Sequence, residues 1–255
     1  MGKFDYKNVG KEIGWNFSKM NYVIEQKNNF DYYKSVIEEI SPNTIMLDIG
    51  CGSAEKTSRF YSLVKKIYFT DFEPEMLKRA KSNVEKYYKN DHIQFKKFVF
   101  DKIDSRGHFK YSDESFNLVV SRHCGANMYE VYRVLKHDGV FISEDVSSED
   151  CQELKDYFGR GQEYNQQPLY KQVMNDCMEA GFSEIKLIKF EQIEYYKTID
   201  DLKFLLSHTP ILNEFNENTG CKSELKTKTE DTSKLKVFSI ASSIISYSLL
   251  EVELC

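Results

Sequence analysis

Between Thr44 and Val146 short apolar runs alternate with stretches of helical spacing, and that alternation restricts the fold more than any other feature of the chain. Runs 44–49, 66–70, 93–100, 116–121 and 140–146 read as strands, with helices over 74–88 and 128–136. Strands and helices taking turns in this way imply parallel strands joined by crossover helices. FNLVV at 116–120 is apolar at both parities, which suits a sheet covered on both faces and excludes a simple sandwich. The expected class is α/β. Upstream, Phe30, Tyr33, Val36, Ile37 and Ile40 recur at helical spacing over 28–40, and Ser41-Pro42-Asn43 stops that helix. Downstream, 168–180 and 199–207 read as helices and 183–196 as a strand.

At 255 residues the chain can bury one large core or two small ones. Its 40 acidic and 35 basic residues are interspersed, so the net charge of −5 gives no reason to expect long nucleic acid as a partner. The six cysteines form no Cys-x-x-Cys pair and no Cys/His ligand spacing, which argues against a metal site and for a reducing compartment. No cationic start leads into an apolar stretch, and the apolar run 237–250 is too short and too rich in serine to cross a bilayer. A cytoplasmic location away from membranes is expected. The segments expected are an N-terminal lid or helical arm (1–27), the main domain (28–212), a polar loop or linker (213–236) and a last strand with an atypical terminus (237–255).

The first strand of the alternating region collapses into Asp48-Ile-Gly50-Cys51-Gly52. In an open α/β sheet, ligands sit at the carboxyl edge of the strands, where strand order reverses. Gly50 and Gly52 let a ligand approach the main chain, and a helix beginning near Ser53 would point free N–H groups at it. About twenty residues further on, Asp71 ends the second strand, where a carboxylate can take both hydroxyl protons of a ribose; a helix cap is its plainer reading. Asp104 follows the third strand, either as an acceptor for an exocyclic amine or as an ordinary turn residue. A dinucleotide site normally needs a third glycine and a place for phosphates, whereas Glu55 brings a negative charge to this turn. The better ligand is a phosphate-free nucleoside; a sulfonium nucleoside carrying an amino acid fits, with Asp48 meeting its ammonium.

LDIGCGSAE, FTDFEPEMLKRAK, SFNLVVSRH and EVYRVLKHDGVFISED together resemble, in order and spacing, the motifs of class I S-adenosylmethionine-dependent methyltransferases of the small-molecule, methyltransferase-11-like type. The resemblance covers about residues 30–200. It implies a Rossmann-like, doubly wound, mostly parallel seven-stranded sheet with an antiparallel last strand. It also implies that Asp48, Gly50 and Gly52 contact the methionine part, Asp71 the ribose, and Asp104 with Ser105 the adenine. Cys51, Phe72 and Ser121 complete the expected cofactor contacts. Ala54 and Asp138 stand where glycines are commoner. The tail from Lys236 holds enough β-branched and apolar residues to supply the antiparallel last strand, but 237–250 lacks the charged alternation of a half-exposed edge, so residues after about 216 are expected to depart from the family as an altered terminus.

Methyl transfer needs a nucleophile held close and in line, and a base only if the acceptor must lose a proton. The loop VVSRHCGAN borders the transferred methyl in such folds; there His123 is the candidate base and Arg122 the candidate anion clamp, with loop closure as the plain alternative for both. Cys124 reads as a small buried residue rather than a nucleophile or soft-metal ligand, and Glu144 and Asp145 as binders of a cationic group or, in preference, as caps of the next helix. Trp15, Phe17 and Tyr22 suit a lid or simple packing, and 157–170 a mobile flap beside the acceptor. The expected function is methyl transfer from S-adenosyl-L-methionine to a small molecule, by a monomer or homodimer. An RNA methyltransferase and a non-catalytic nucleoside-binding protein are the alternatives.

Overall fold

The computed structural model describes residues 4–26, 30–88, 97–162, 164, 166, 169–212, 215 and 235–247. Its strands are β1 (Tyr22–Gln26), β2 (Ile45–Ile49), β3 (Lys66–Asp71), β4 (Phe98–Lys102), β5 (Phe116–Arg122), β6 (Leu135–Val146), β7 (Glu184–Tyr196) and β8 (Leu235–Tyr247). Its helices are α1 (Tyr6–Glu12), α2 (Tyr32–Glu38), α3 (Pro74–Tyr88), α4 (Met128–Val134), α5 (Gln152–Phe158), α6 (Leu169–Ala180) and α7 (Ile199–His208). All eight strands join one sheet in the order β1-β7-β8-β6-β5-β2-β3-β4. The five from β6 to β4 are mutually parallel, while β8 is antiparallel to both β6 and β7, and β1 to β7. The chain runs outward from β2 through β3 to β4, then returns to β5 on the other side of β2. Its switch point therefore lies between β2 and β5, where a ligand crevice opens at the carboxyl ends.

Side-chain parity explains the layers. In β5, Leu118 and Val120 join one core with Met46, Ile67 and Phe69, while Val119 joins the opposite core with Leu47, Ile49 and Phe141; Phe116 reaches that second core too, because the pairing with β6 shifts register between Phe116 and Leu118. Both sets are sealed from water, at roughly 1.5–3 kcal/mol for each fully buried large aliphatic side chain. A third cluster, of Cys151, Leu154, Tyr196, Leu202, Leu206 and Leu212 with Phe17 and Tyr22 against it, gathers where β6 and β7 end. β6 stops pairing at Val146, opposite Ala241, whereas β7 and β8 continue together to Tyr196 and Leu235. The β8-β7-β1 ribbon thus overhangs the carboxyl edge of the sheet.

Several expectations change. The last strand expected over 237–255 is β8, with 248–255 outside the described residues, and β8 pairs along its length with β7 and in part with β6. It is an interior strand, so it has no use for the charged alternation that protects an edge. The edge is β1, an eighth strand supplied by the segment read as an arm. The helix expected over 28–40 shortens to α2, whose start is fixed by Asp31 accepting from the N–H groups of Tyr33 and Lys34. The strand expected at 93–100 is β4, with 89–96 outside the described residues. The helix expected to reach 136 ends at Val134, because Leu135 already pairs with Phe116 as β6 begins. Gly139 allows the tight bend that follows: a Cβ there would lie 2.8 Å from Leu135 Cδ2 and 2.9 Å from Lys136 O. Part of the expected flap is the regular helix α5. The linker expected over 213–236 falls outside the described residues except for Phe215 and the first residues of β8. Among the described residues no helix is long and apolar enough to cross a membrane.

Candidate active site

The turn after β2 is built on three left-handed residues, Gly50 (φ +68°), Gly52 (φ +54°) and Ala54 (φ +54°). Alanine at 54 costs about 1–2 kcal/mol of backbone strain that glycine would not. This coiling delays the helix expected from Ser53, and the chain forms only a 3₁₀ stretch, Thr57–Ser62. The free N–H groups expected there are instead used: Gly52 N–H donates to Asp71 Oδ2 at 3.0 Å, and Ala54 N–H to Cys51 O at 2.9 Å.

The acids occupy distinct environments. Asp48, 4% exposed, accepts Thr57 Oγ1–H on Oδ2 at 2.5 Å, while its Oδ1 has no partner among the described residues. Burial pushes its carboxyl up to about 7, against the Thr57 hydrogen bond and with help from the charge of Asp71. Asp71 accepts Gly52 N–H on one oxygen and Glu73 N–H, at 2.8 Å, on the other. It is thus both a turn brace and a carboxylate with lone pairs to spare, and burial raises its pKa although the amides oppose that. Asp104 makes an Asx turn, accepting Arg106 N–H at 3.0 Å, and Ser105 Oγ–H donates to Gly125 O at 2.7 Å. Phe72 is 55% exposed with Lys102 Nζ 5.4 Å from its ring centre. Cys51 is held by its N–H on Thr70 O at 2.8 Å, and burial pushes its thiol far up. Ser121 is sealed, its hydroxyl donating to Cys124 O at 2.5 Å, so its side chain shapes the loop and faces nothing else.

Sequence reasoning missed Cys124 as a site residue. A Cβ on Gly50 would lie 2.5 Å from both Cys124 Cβ and Sγ, and that Sγ reaches Ser105 Oγ at 3.6 Å. Cys124 therefore ties the β2, β4 and β5 loops into one recess; burial pushes its thiol up to about 11, so it is no nucleophile. Thr57, nine residues from Asp48, was also missed, whereas the N-terminal segment, whose aromatics read as a lid or as packing, does lie over the turn. Trp15 Cδ1 is 3.1 Å from where a Gly52 Cβ would be, and Asn16 Nδ2 donates to the Glu55 carboxylate at 3.1 Å. Arg79 of α3 grips the carbonyls of Gly10 and Lys11. The one signal for this was the aromatic run GWNF itself.

On the other side of the crevice, Arg122 Nε donates to Glu144 Oε1 at 2.5 Å, and His123 Nε2 lies 3.4 Å from the same oxygen. Glu144 is still within β6, so the expected capping role for it is replaced by this cluster. Burial works to raise its pKa, but the hydrogen bond from His123 and the charge of Arg122 hold it below the usual range. Tyr32 O–H donates to Ser121 O at 3.1 Å, so α2 fixes the end of β5.

Does S-adenosylmethionine fit? The Asp48 carboxyl, 4% exposed and held by Thr57 through Oδ2 only, stands beside two glycines whose missing side chains leave the backbone approachable. Asp71 adds spare acceptor capacity 19 residues beyond Gly52 in the chain. An ammonium and a ribose find partners here, while the amides of Cys51, Gly52 and Ala54 are already used within the protein and so are not free for a pyrophosphate.

A family model described as a methyltransferase domain matches residues 40–230. Among solved structures, the YcgJ protein from Bacillus subtilis aligns at 17% identity with a TM-score of 0.59, over 86% of this chain and 98% of that one. A functionally unknown protein from Deinococcus radiodurans R1 aligns at 14% identity with a TM-score of 0.59, over 97% and 100% of the two chains. Haemonchus contortus phosphoethanolamine N-methyltransferase 2, solved with S-adenosyl-L-methionine, aligns at 18% identity with a TM-score of 0.51, over 86% of this chain and 52% of that one. These likenesses speak for the fold. No curated protein matches in sequence. The sheet order, the glycine turn and the matched model agree: the chain belongs to the methyltransferase-domain family, as a class I enzyme that uses S-adenosylmethionine.

Proposed function

We propose that the enzyme methylates a small molecule, held between the β5–β6 edge and the overhanging ribbon. The observation that supports this best is a roof of side chains across the crevice. Trp15 lies against Gly52, Phe17 is 6.2 Å from Trp15 between ring centres, and Phe204 of α7 is 6.3 Å from Phe17. A roofed cleft admits a metabolite and hinders a polymer.

S-adenosylmethionine supplies a methyl carbon made electrophilic by sulfonium charge. In this reading Asp48 Oδ1 meets the ammonium, and Gly50, Cys51 and Gly52 offer close main-chain approach. Asp71 accepts from ribose hydroxyls, and Asp104, Ser105 and Phe72 border the adenine. Ser121 acts through the loop it closes. Arg122 orients an acceptor with anionic character, and His123 takes a proton if the acceptor must lose one. Of the expected N-terminal arm, the segment 4–21 serves as a lid, and β1 after it is part of the sheet.

Calorimetric titration with S-adenosylmethionine and its demethylated product, against NAD, tests the cofactor site: tight binding of the first two and none of NAD is expected. Labelled cofactor offered to a metabolite library then tests the acceptor class. Methyl incorporation into RNA alone, with a steep salt dependence of binding, refutes the small-molecule reading.

A further inference from the structure

Glu144 has one side-chain oxygen facing two donors. The side chain is 7% exposed, and Oε1 takes Arg122 Nε at 2.5 Å with His123 Nε2 at 3.4 Å. Had Glu144 served only as a counter-ion to Arg122, the favoured geometry would be a fork using both oxygens. Here Oε2 has no partner among the described residues, and the shared oxygen draws the imidazole in. A second link runs through the backbone, where His123 N–H donates to Glu144 O at 2.7 Å. That link helps to hold His123 at φ +55°, a left-handed conformation that costs about 1–2 kcal/mol outside glycine.

The consequence is a defined tautomer. A carboxylate only accepts, so the ring nitrogen facing it must carry the proton. Nε2 is that nitrogen; Nδ1 is left with the lone pair when the ring is neutral, and it has no partner among the described residues on a side chain that is 40% exposed. Glu194 of β7 is the other carboxylate near enough to sense the charge of His123, and Arg122 is the neighbouring cation.

We propose that Glu144 is the positioning residue of the transfer site, fixing His123 with Nδ1 as the atom that receives the acceptor's proton. This rests on the reading above that His123 borders the acceptor. In the balanced step the acceptor's electron pair forms the bond to carbon, the carbon–sulfur pair stays on sulfur, and the acceptor's proton goes to Nδ1. The imidazolium so formed then faces Glu144, whose charge offsets it, as a carboxylate does behind other catalytic histidines.

The test needs no acceptor. Full-length protein labelled with nitrogen-15 is studied by NMR in the cold, with His123 assigned through the signals lost in His123→Asn. A downfield, exchange-protected Nε2 proton and a bare Nδ1 are expected in the wild type, with that proton lost in Glu144→Ala and kept in Arg122→Gln. A wild type without the proton, a proton on Nδ1, its survival in Glu144→Ala or its loss in Arg122→Gln would each overturn the assignment. The wild-type spectrum decides even if Glu144→Ala fails to fold. Calorimetry with S-adenosylmethionine on the same samples separates the two ideas. Binding without the Nε2 proton sinks the positioning role alone, and the proton without binding sinks the site on which it rests.

Discussion

The fold resists ionising Asp48, and that resistance fixes how cofactor binding should respond to pH. Burial pushes its carboxyl up to about 7 from an ordinary value of 3.8. A raised acid stabilises the folded state fully below its unfolded pKa and loses that contribution as pH rises through its folded one. The ligand-free enzyme should therefore lose stability between about pH 4 and 7, by at most roughly 4 kcal/mol at about 1.4 kcal/mol per pH unit. Asp71 is raised in the same direction and steepens the slope, so Asp48→Asn is the variant that isolates Asp48.

An ammonium at Oδ1 reverses the preference, because an adjacent cation favours the carboxylate. Binding should then expel a proton. At pH 6 roughly 0.9 proton should leave per cofactor bound, and affinity should rise about fifteenfold from pH 5.5 to 7, a window in which the ligand's α-amino group stays charged. Calorimetry in buffers of different ionisation enthalpy counts the proton directly. An equal heat in all buffers, or an undiminished pH slope in Asp48→Asn, would refute the claim that this carboxyl meets the ammonium.

Gly50→Ala should destabilise by about 2–5 kcal/mol, combining left-handed strain with contact against Cys124, and Cys124→Gly in the same chain should restore only the contact part in a urea titration. Arg133 donates to both Glu130 oxygens, to the carbonyls of Phe109 and Tyr111, and to Asp113; Arg133→Ala should cost about 2–4 kcal/mol of stability, and a loss under about 1 would show the brace to be idle. The same hydrogen bonds hold the Glu130 carboxyl down to about 2, so this contribution should be present at neutral pH and be lost as pH falls from about 4.5 toward 2, read as a falling unfolding midpoint. Trp15 is the sole tryptophan and lies against Gly52, so its fluorescence should change with the same midpoint as calorimetric binding of S-adenosylmethionine; an unchanged spectrum would remove it from the lid.

The parallel half of the sheet was legible because its strands are buried on both faces, and continuous apolar runs such as FNLVV have few other uses. β1 was not, since an edge strand with Val23 and Ile24 more than two-fifths exposed carries neither alternation nor a buried run. Glu144 and Asp145 looked like caps because a polar pair after VFIS ends most strands; β6 continues through them and turns Glu144 toward Arg122. Asp71 satisfied both of its readings at once, as a brace for two amides and a carboxylate at the strand end. Cys124 was illegible in principle: its role comes from facing Gly50, a residue 74 positions away in the chain, and nothing local marks that contact. The E-x-x-R run at Glu130–Arg133 shows the reverse case, a family motif whose chemistry is structural, pinning residues 109–113.

Backbone strain marks the site without help from any resemblance. Among the described residues, five other than glycine have positive φ: Trp15, Ala54, Glu114, His123 and Cys151. Glu114 lies in the tight entry to β5, at the opposite edge of the sheet, where its N–H donates to Arg133 O. The other four stand in the segment over the glycine turn, in that turn, in the loop after β5 and in the loop after β6. Each such residue costs about 1–3 kcal/mol, and strain of that kind persists only where the surroundings over-determine it. Asp48 and Asp71 add the cost of carboxyls kept from water at the same place. The two close-packed cores elsewhere must offset that cost in the ligand-free enzyme. A cofactor that supplies Asp48 with a cation and Asp71 with hydroxyls relieves that burden where it is concentrated, and it stabilises the folded chain by mass action as well.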